Sequence, residues 1–347
     1  MLPITYKRVE YGKTRFYVIP ELGNAQLPSS TTILSVINKP ALVPWAAKVT
    51  VAYIGQYLQR ILAGEIKLED LNINDILYGA KNAHEKIKKE AADIGSIAHD
   101  VISGFHVMEL ANKKHRYTVT ECNDFLVSEA KKKIAEFKKK DPNVLIPDSS
   151  ENCITRCLSS FVDWREQVHF EVLETETTVF SAKYRFAGTL DALGKIHDEL
   201  SIVDYKSSSG IWTEYYYQVA SYRCAWEEMN GKSVPKEWII RFGKEDGAFE
   251  SRILSDELGT YQDRLSGFFY ARGLWNIQQI LEAAEKLRKA RVKQSDKIAS
   301  LIPHPDIFGP NKNKIIEGCV LTTDGGETPA ANKIPEKTKS KKSKVLF

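Results

Sequence analysis

The chain lacks several signatures that would fix its class at once. Its five cysteines, Cys122, Cys153, Cys157, Cys224 and Cys319, are odd in number, scattered, and never form a CxxC pair. That argues against a disulfide framework and a cysteine-held zinc site, and points to a reducing, cytoplasmic compartment. Long apolar runs are missing too. The N-terminus, MLPITYKRVEYGKTRFYVIP, mixes charged and apolar residues from its start, so neither a signal peptide nor a membrane span is expected. There is no GxxxxGK[ST] phosphate loop, so a nucleotide-driven motor would have to come from another chain. Nor does one sign of charge dominate: 49 Lys and Arg against 45 Asp and Glu leave +4, which permits a polyanionic partner without requiring one. No internal repeat is present.

What remains is ordinary globular material, 43% hydrophobic and 27% charged over 347 residues. That is enough to bury a core, and it favours one elaborated domain over two equal folds. Tyr6 to Ile19 alternates around a Gly-Lys turn and reads as a β-hairpin. Ser29, Ser30 and the threonines of LPSSTT suit a helix start, and a later helix is entered through Pro44. Helical spacing runs from about Ile73 to Met108, Lys131 to Lys140 reads as a charged helix end, and CITRCLSSFVDWREQV is amphipathic. The register then changes. FEVLETETTVFSA, RFAGTLDALGKI and ELSIVDYKSS are β-rich, Tyr215 to Met229 is helical and stops at Asn230-Gly231, PKEWIIRFGKE and AFESRILS are strands, and a long helix is expected from about Asp256 to Ala290. The expected fold is α/β, with a central mixed sheet of about five strands flanked by helices and an N-terminal helical subdomain. The divisions are 1–90 for the hairpin and helical subdomain, 91–305 for the core with its closing helix, and 306–347 for a disordered Lys-rich tail.

Within this β-rich half, GTLDALGKIHDELSIVDYKSS carries Asp191, Asp204 and Lys206 in apolar surroundings. Residues two apart in a strand share a face, so Asp204 and Lys206 point one way and Tyr205 the other. Isolated carboxylates in such a strand cost several kcal/mol unless paired or metal-bound. The short turn KIHDE would bring Asp191 beside Asp204, and two carboxylates that close each favour protonation unless a cation lies between them. Hard oxygen ligands suit one or two Mg²⁺ or Mn²⁺ ions. Lys206 would then orient the attacking water or stabilise charge on phosphorus. A bare D-x-K is also compatible with an ordinary Asp/Lys salt bridge.

The order GTLDAL, IVDYKSS, YYYQVASY resembles the PD-(D/E)XK nuclease superfamily, in particular its RecB-type and phage exonuclease branch. That branch has an aspartate after a glycine (Gly188 to Asp191), a D-x-K strand (Asp204, Lys206) and a helix bearing Q-x-x-x-Y (Gln218, Tyr222). A histidine after a glycine on an upstream helix matches IGSIAHD, with Gly95 and His99. The resemblance spans roughly 90–245 and implies a restriction-endonuclease-like core. It implies that Asp191, Asp204 and the Tyr205 carbonyl hold metal, and that His99 is a metal ligand or phosphate contact. It also implies a glutamate on the preceding strand. Glu174 and Glu176 share a face in the sequence pattern, and Glu176 is preferred because ETTVFS resembles the family segment. Gln218 and Tyr222, four apart, would reach nucleic acid or buttress Lys206, or Tyr222 is core with Gln218 as its polar edge. Relatives with an iron–sulfur cluster need three clustered C-terminal cysteines; here only Cys319 lies beyond Cys224, so no cluster is expected.

For DNA contact, the sequence offers Ser207 in the turn after Lys206, Trp212 and Tyr215 beyond it, Lys183 and Arg185 before the GxxD strand, and Lys39, Trp45 and Lys48 earlier. Lys337, Lys339, Lys341, Lys342 and Lys344 would add nonspecific attraction, and the terminal KVLF faintly resembles a clamp-docking peptide. The resemblance thus implies metal-dependent hydrolysis of DNA from an end, leaving 5′-phosphates, in recombination, replication or repair of a phage or prokaryotic genome. A recombination or replication protein is the partner it allows. A sequence- or structure-specific endonuclease and a silent nucleic-acid-binding subunit are the alternatives.

Overall fold

In the computed structural model the described residues are 6–301, apart from 13, 68, 70, 114, 141–147, 244–247 and 256–257. The expected tail, with Cys319 and its lysines, lies outside them. The chain divides into two compact units, 1–283 and 284–347. All the elements up to β8 belong to the first.

The first unit opens with a three-stranded antiparallel sheet: β1 (Lys7–Tyr11), β2 (Thr14–Ile19) and β3 (Ala25–Pro28). The hairpin is legible in the sequence; its third strand is not. Ser29 then caps α1 (Ser30–Leu34), its hydroxyl accepting from the Thr32 N–H. Helices α2 (Leu42–Leu62), α3 (Ile73–Ala111), α4 (Val119–Lys140) and α5 (Asp148–Gln167) come next. Helix α4 starts well before the charged end seen in the sequence. Thr118 and Glu121 explain this, because each accepts from the other's backbone N–H in a capping box. Helix α3 runs unbroken through residue 90, so the boundary expected there falls inside one helix.

A five-stranded mixed sheet has the order β4 (Glu171–Ser181), β5 (Phe186–Ile196), β6 (Glu199–Lys206), β7 (Lys236–Phe242) and β8 (Phe249–Ile253). Only β6 and β7 are parallel, joined by the crossover helix α6 (Thr213–Asn230), which ends on Gly231 at φ +63°. Helix α7 (Tyr261–Leu301) runs from the first unit into the second. It starts later than the sequence pattern implied, because Thr260 and Asp263 make a reciprocal cap.

Helices cover both faces of this sheet, so its strands are apolar on both sides. On one face Val203, Tyr205, Ile240 and Phe242 pack with Phe105 of α3, Leu126 of α4 and Phe161 of α5. On the other, Ile202, Ile239 and Leu193 pack with Val219 and Trp226 of α6 and Phe268 of α7. A bridge between Ser29 and Ala187 and the Tyr17–Thr189 hydroxyl contact of 2.8 Å tie the N-terminal sheet to β5.

The β5–β6 connection sets which residues of the two strands stand opposite each other. His197 (φ +49°) and Asp198 (φ +64°) are the two central residues of a two-residue hairpin, both left-handed as a type I′ turn requires. The ladder above it, Ile196↔Glu199 through Ala192↔Val203, is thereby fixed. Neither residue is the glycine or asparagine this conformation prefers. Replacing His197-Asp198 by Asn-Gly is expected to raise the unfolding free energy by about 1 kcal/mol. Denaturant titration reads it; an unchanged or lower midpoint would contradict this account of the turn.

Candidate active site

One step beyond Ala192↔Val203, the same register sets Asp191 against Asp204, and there β5 and β6 part. Strand β5 continues with β4, while β6 continues with β7 to Asp204↔Ile239 and Lys206↔Arg241. At this fork the Tyr205 N–H would lose its ladder partner. The Asp191 carboxylate takes its place, accepting from that N–H at 2.7 Å. Lys206 Nζ stands 2.5 Å from Asp204 Oδ2, and Tyr215 lies under the ammonium at 5.1 Å.

Strand β4 also breaks its alternation here. Its ladder with β5 passes from Thr175↔Ala192 to Thr177↔Leu190, skipping Glu176, whose φ of +49° is left-handed. Glu174 accepts from the Trp226 indole on α6, while Val179, five residues on, belongs to the cluster on that same face. Odd spacing with a common face requires a change of phase, and Glu176 supplies it. Periodicity treated Glu174 and Glu176 as equivalent, but the structure separates them. Glu176 feels the charges of Asp191 and of Asp100 on α3, and Glu174 is occupied by Trp226.

Helix α3 closes the site from the other side. A Cβ on Gly95 would stand 2.0 Å from Ser207 Oγ and 2.9 Å from its Cβ, so only glycine lets the helix seat on the end of β6. One turn later His99 Nδ1 reaches 3.9 Å from Asp191 Oδ2, and its ring meets that of Tyr205 edge to face. Asp191, Asp204, Lys206, Glu176 and His99 are therefore brought together.

The proposed DNA contacts are placed less uniformly. Trp212 is 45% exposed at the start of α6, and Ser207 sits against Gly95. Gln218 and Tyr222 are buried instead of surface-facing. Gln218 Nε2 donates to the Tyr222 hydroxyl at 2.7 Å, and that ring fills the space a side chain on Gly188 would need. Their position is that of a buttress under β5. Lys39 is paired with Glu214 at 2.9 Å, Trp45 is half-buried against His84, and Lys183, Arg185 and Lys48 are exposed.

Burial dominates the electrostatics. It pushes Asp204 up to about 6, with Asp191 adding repulsion and Lys206 opposing both. Burial likewise raises Asp191; Glu176, although its side chain is exposed, is raised to about 7 by partial desolvation and the charges of Asp191 and Asp100. For Lys206, burial is outweighed by the charges of Asp204 and Asp191, and its ammonium is held above the usual range. Burial, then Lys206, pushes His99 down to about 4, leaving it neutral at pH 7. One ammonium thus faces two carboxyl groups, with Glu176 repelled by one of them, Asp191.

Asp204 is fully buried, and beyond the Lys206 ion pair neither of its oxygens has a hydrogen-bond partner. Unsatisfied buried carboxylate oxygens beside a second carboxylate and a main-chain carbonyl are a donor set that fits a hard divalent cation. Among the described residues no three His, Cys, Asp or Glu side chains are gathered closely enough to hold a metal ion between them, so the preformed donor set is Asp191 and Asp204 with the main-chain carbonyl. A few carboxylates with the remaining positions left to water and phosphate is the pattern Mg²⁺ adopts. The cavity of about 550 Å³ between α3, α5 and β4 is elsewhere, lined by Glu109, Arg165 and Glu171 but by none of these five residues.

Residues 76–302 match the sequence model of the PD-(D/E)XK nuclease superfamily. The chain belongs to that superfamily, whose members generally use divalent metal ions. No curated protein matches the chain. Among solved structures, a protein named "Putative exonuclease" from Eubacterium rectale is similar at 12% identity and a TM-score of 0.32, over 50% of this chain and 71% of its own. Among the described residues no helix is long and apolar enough to cross a membrane.

Sequence reasoning missed Asp100 and a buried polar chain behind Tyr205. The second had a signal, His106 and Glu109 three apart on α3. The seating of α3 yields a test. Gly95→Ala is expected to cost about 1–3 kcal/mol of stability through overpacking against Ser207. Urea unfolding measures it, and a neutral result would mean that the helix can withdraw freely.

Proposed function

We propose that the chain is a metal-dependent DNA exonuclease that hydrolyses phosphodiester bonds from an end and leaves 5′-phosphates, acting in recombination, replication or repair of a phage or prokaryotic genome. The observation that carries this reading is Asp191 set across from buried, under-satisfied Asp204 with Lys206 alongside. Family membership supports the nuclease chemistry; the preference for ends rests on the resemblance to the RecB-type and phage branch.

Asp191, Asp204 and the Tyr205 carbonyl would hold one or two Mg²⁺ or Mn²⁺ ions, with Glu176 and His99 completing the donor set. When bound, such an ion supplies Lewis-acid charge at phosphate and lowers the pKa of water. The chain's own groups do the rest. Asp204 keeps Lys206 protonated and aimed into the site. The ammonium then orients the attacking oxygen and stabilises negative charge that builds on phosphorus during in-line displacement. Neutral His99 is competent as a ligand, and Tyr215 holds Lys206 from below. Trp212 and the Ser207 turn are the surfaces offered to the strand.

Two measurements test this. End-labelled linear DNA with Mg²⁺ or Mn²⁺ is expected to release nucleotides, and Lys206→Ala to lower the rate by about 10²-fold or more. A covalently closed circle should stay intact; its cleavage would favour an endonuclease. Separately, Mn²⁺ in large excess is expected to raise the wild-type Tm by a few degrees and leave Asp191→Asn/Asp204→Asn unmoved. Equal shifts in both proteins would remove the metal from these residues.

A further inference from the structure

We propose that His106 is a positioning residue for this site, acting through Tyr205 by way of a buried hydrogen-bond chain. The inference rests on the metal-dependent reading above and extends it to groups that touch neither metal nor DNA.

Tyr205 belongs to the site by its main chain: its N–H holds Asp191, and its carbonyl is a proposed ligand. Its side chain points to the opposite face, among Phe105, Phe161 and Phe170. There its hydroxyl meets His106 Nε2 at 2.8 Å. His106 Nδ1 meets Glu109 Oε2 at 3.1 Å, and Arg165 donates to the other Glu109 oxygen. Direction follows from chemistry. A carboxylate only accepts, so Nδ1 carries the proton towards Glu109. His106 is wholly buried, which disfavours its charged form, so Nε2 is left as an acceptor and the Tyr205 hydroxyl must donate to it.

The placement is not needed for packing. An imidazole, a carboxylate and a guanidinium in an aromatic cluster cost desolvation that apolar side chains of similar size would avoid. The chain ends on the phenol of the one residue whose two main-chain groups face the carboxylates and His99. His99 and His106 are seven apart on α3, two turns along one face. The helix thus touches both ends of Tyr205, and the phenol anchor fixes the rotation of the peptide units that face the site. Such supporting partners commonly change metal affinity or activity by about 10–100-fold.

The test compares wild type, Tyr205→Phe, His106→Leu and the double variant, with Asp204→Asn as the dead-site control. Each is read by calorimetric Mn²⁺ binding, by KM for linear DNA against kcat, and by Tm. Tyr205→Phe is expected to weaken Mn²⁺ binding about tenfold and lower kcat, with KM for DNA within twofold of wild type. The double variant removes both partners, so it should recover much of the Tm lost by His106→Leu while keeping the weak Mn²⁺ binding. Mn²⁺ binding at the wild-type level in Tyr205→Phe and in the double variant, whatever their Tm, would overturn the proposal and leave the nuclease reading standing. Failure of the wild type itself to bind Mn²⁺ would sink both.

Discussion

Two carboxylates buried on neighbouring strands, with one ammonium to share, set the terms for the rest of this structure. Burial raises Asp191 and Asp204 above the ordinary carboxylate range, and Lys206 offsets only part of that shift. Such an arrangement lowers stability, and it persists only where the surrounding elements leave no alternative. Here they leave none. The His197-Asp198 turn fixes the register, a shift of one residue would send Asp191 to the opposite face, and the Tyr205 N–H holds its carboxylate at the fork. Glycines at 95 and 188 admit α3 and the Tyr222 ring from either side. Every element that contacts the fork does so through a residue suited to that contact.

Much of the fold could be read in advance because its signals are local. Turn residues at Asn230-Gly231 and KIHDE, alternation in β6, and helical spacing in α3 and α6 each report on a few neighbouring residues. The order of five strands with a helix between the third and fourth comes from them. Strand β3 was not legible, since AQLP is too short for alternation to register. Helix starts moved where the cap is a reciprocal pair, as at Thr118 with Glu121 and Thr260 with Asp263. Composition sees such residues as ordinary polar loop.

The candidate site was legible in its charges and less so in its supports. Asp191, Asp204 and Lys206 stood out because charge in an apolar strand demands a reason. His99 depended on the family pattern, since a lone helix histidine is usually structural. Gln218 and Tyr222 carry a face-sharing spacing that fits a surface and a buttress equally; only the depth of Tyr222 against Gly188 decides between them. Of the chain from Arg165 to Tyr205, only the His106–Glu109 spacing on α3 was legible, because its other two links join residues 56 and 99 positions apart.

Glu176 shows why a strict period-two reading fails where function resides. A left-handed φ costs a residue with a side chain about 1–2 kcal/mol, and glycine would relieve it. Glycine there would also remove the third acid. With glutamate at that position, β4 changes phase beside Asp191, so that Glu174 stays against Trp226 while the next acid two residues on is turned towards Asp191 and Asp100. The strain and the acid therefore share one residue, at the level where the two carboxylate strands diverge and a few residues beyond the register shift between Val172 and Glu174.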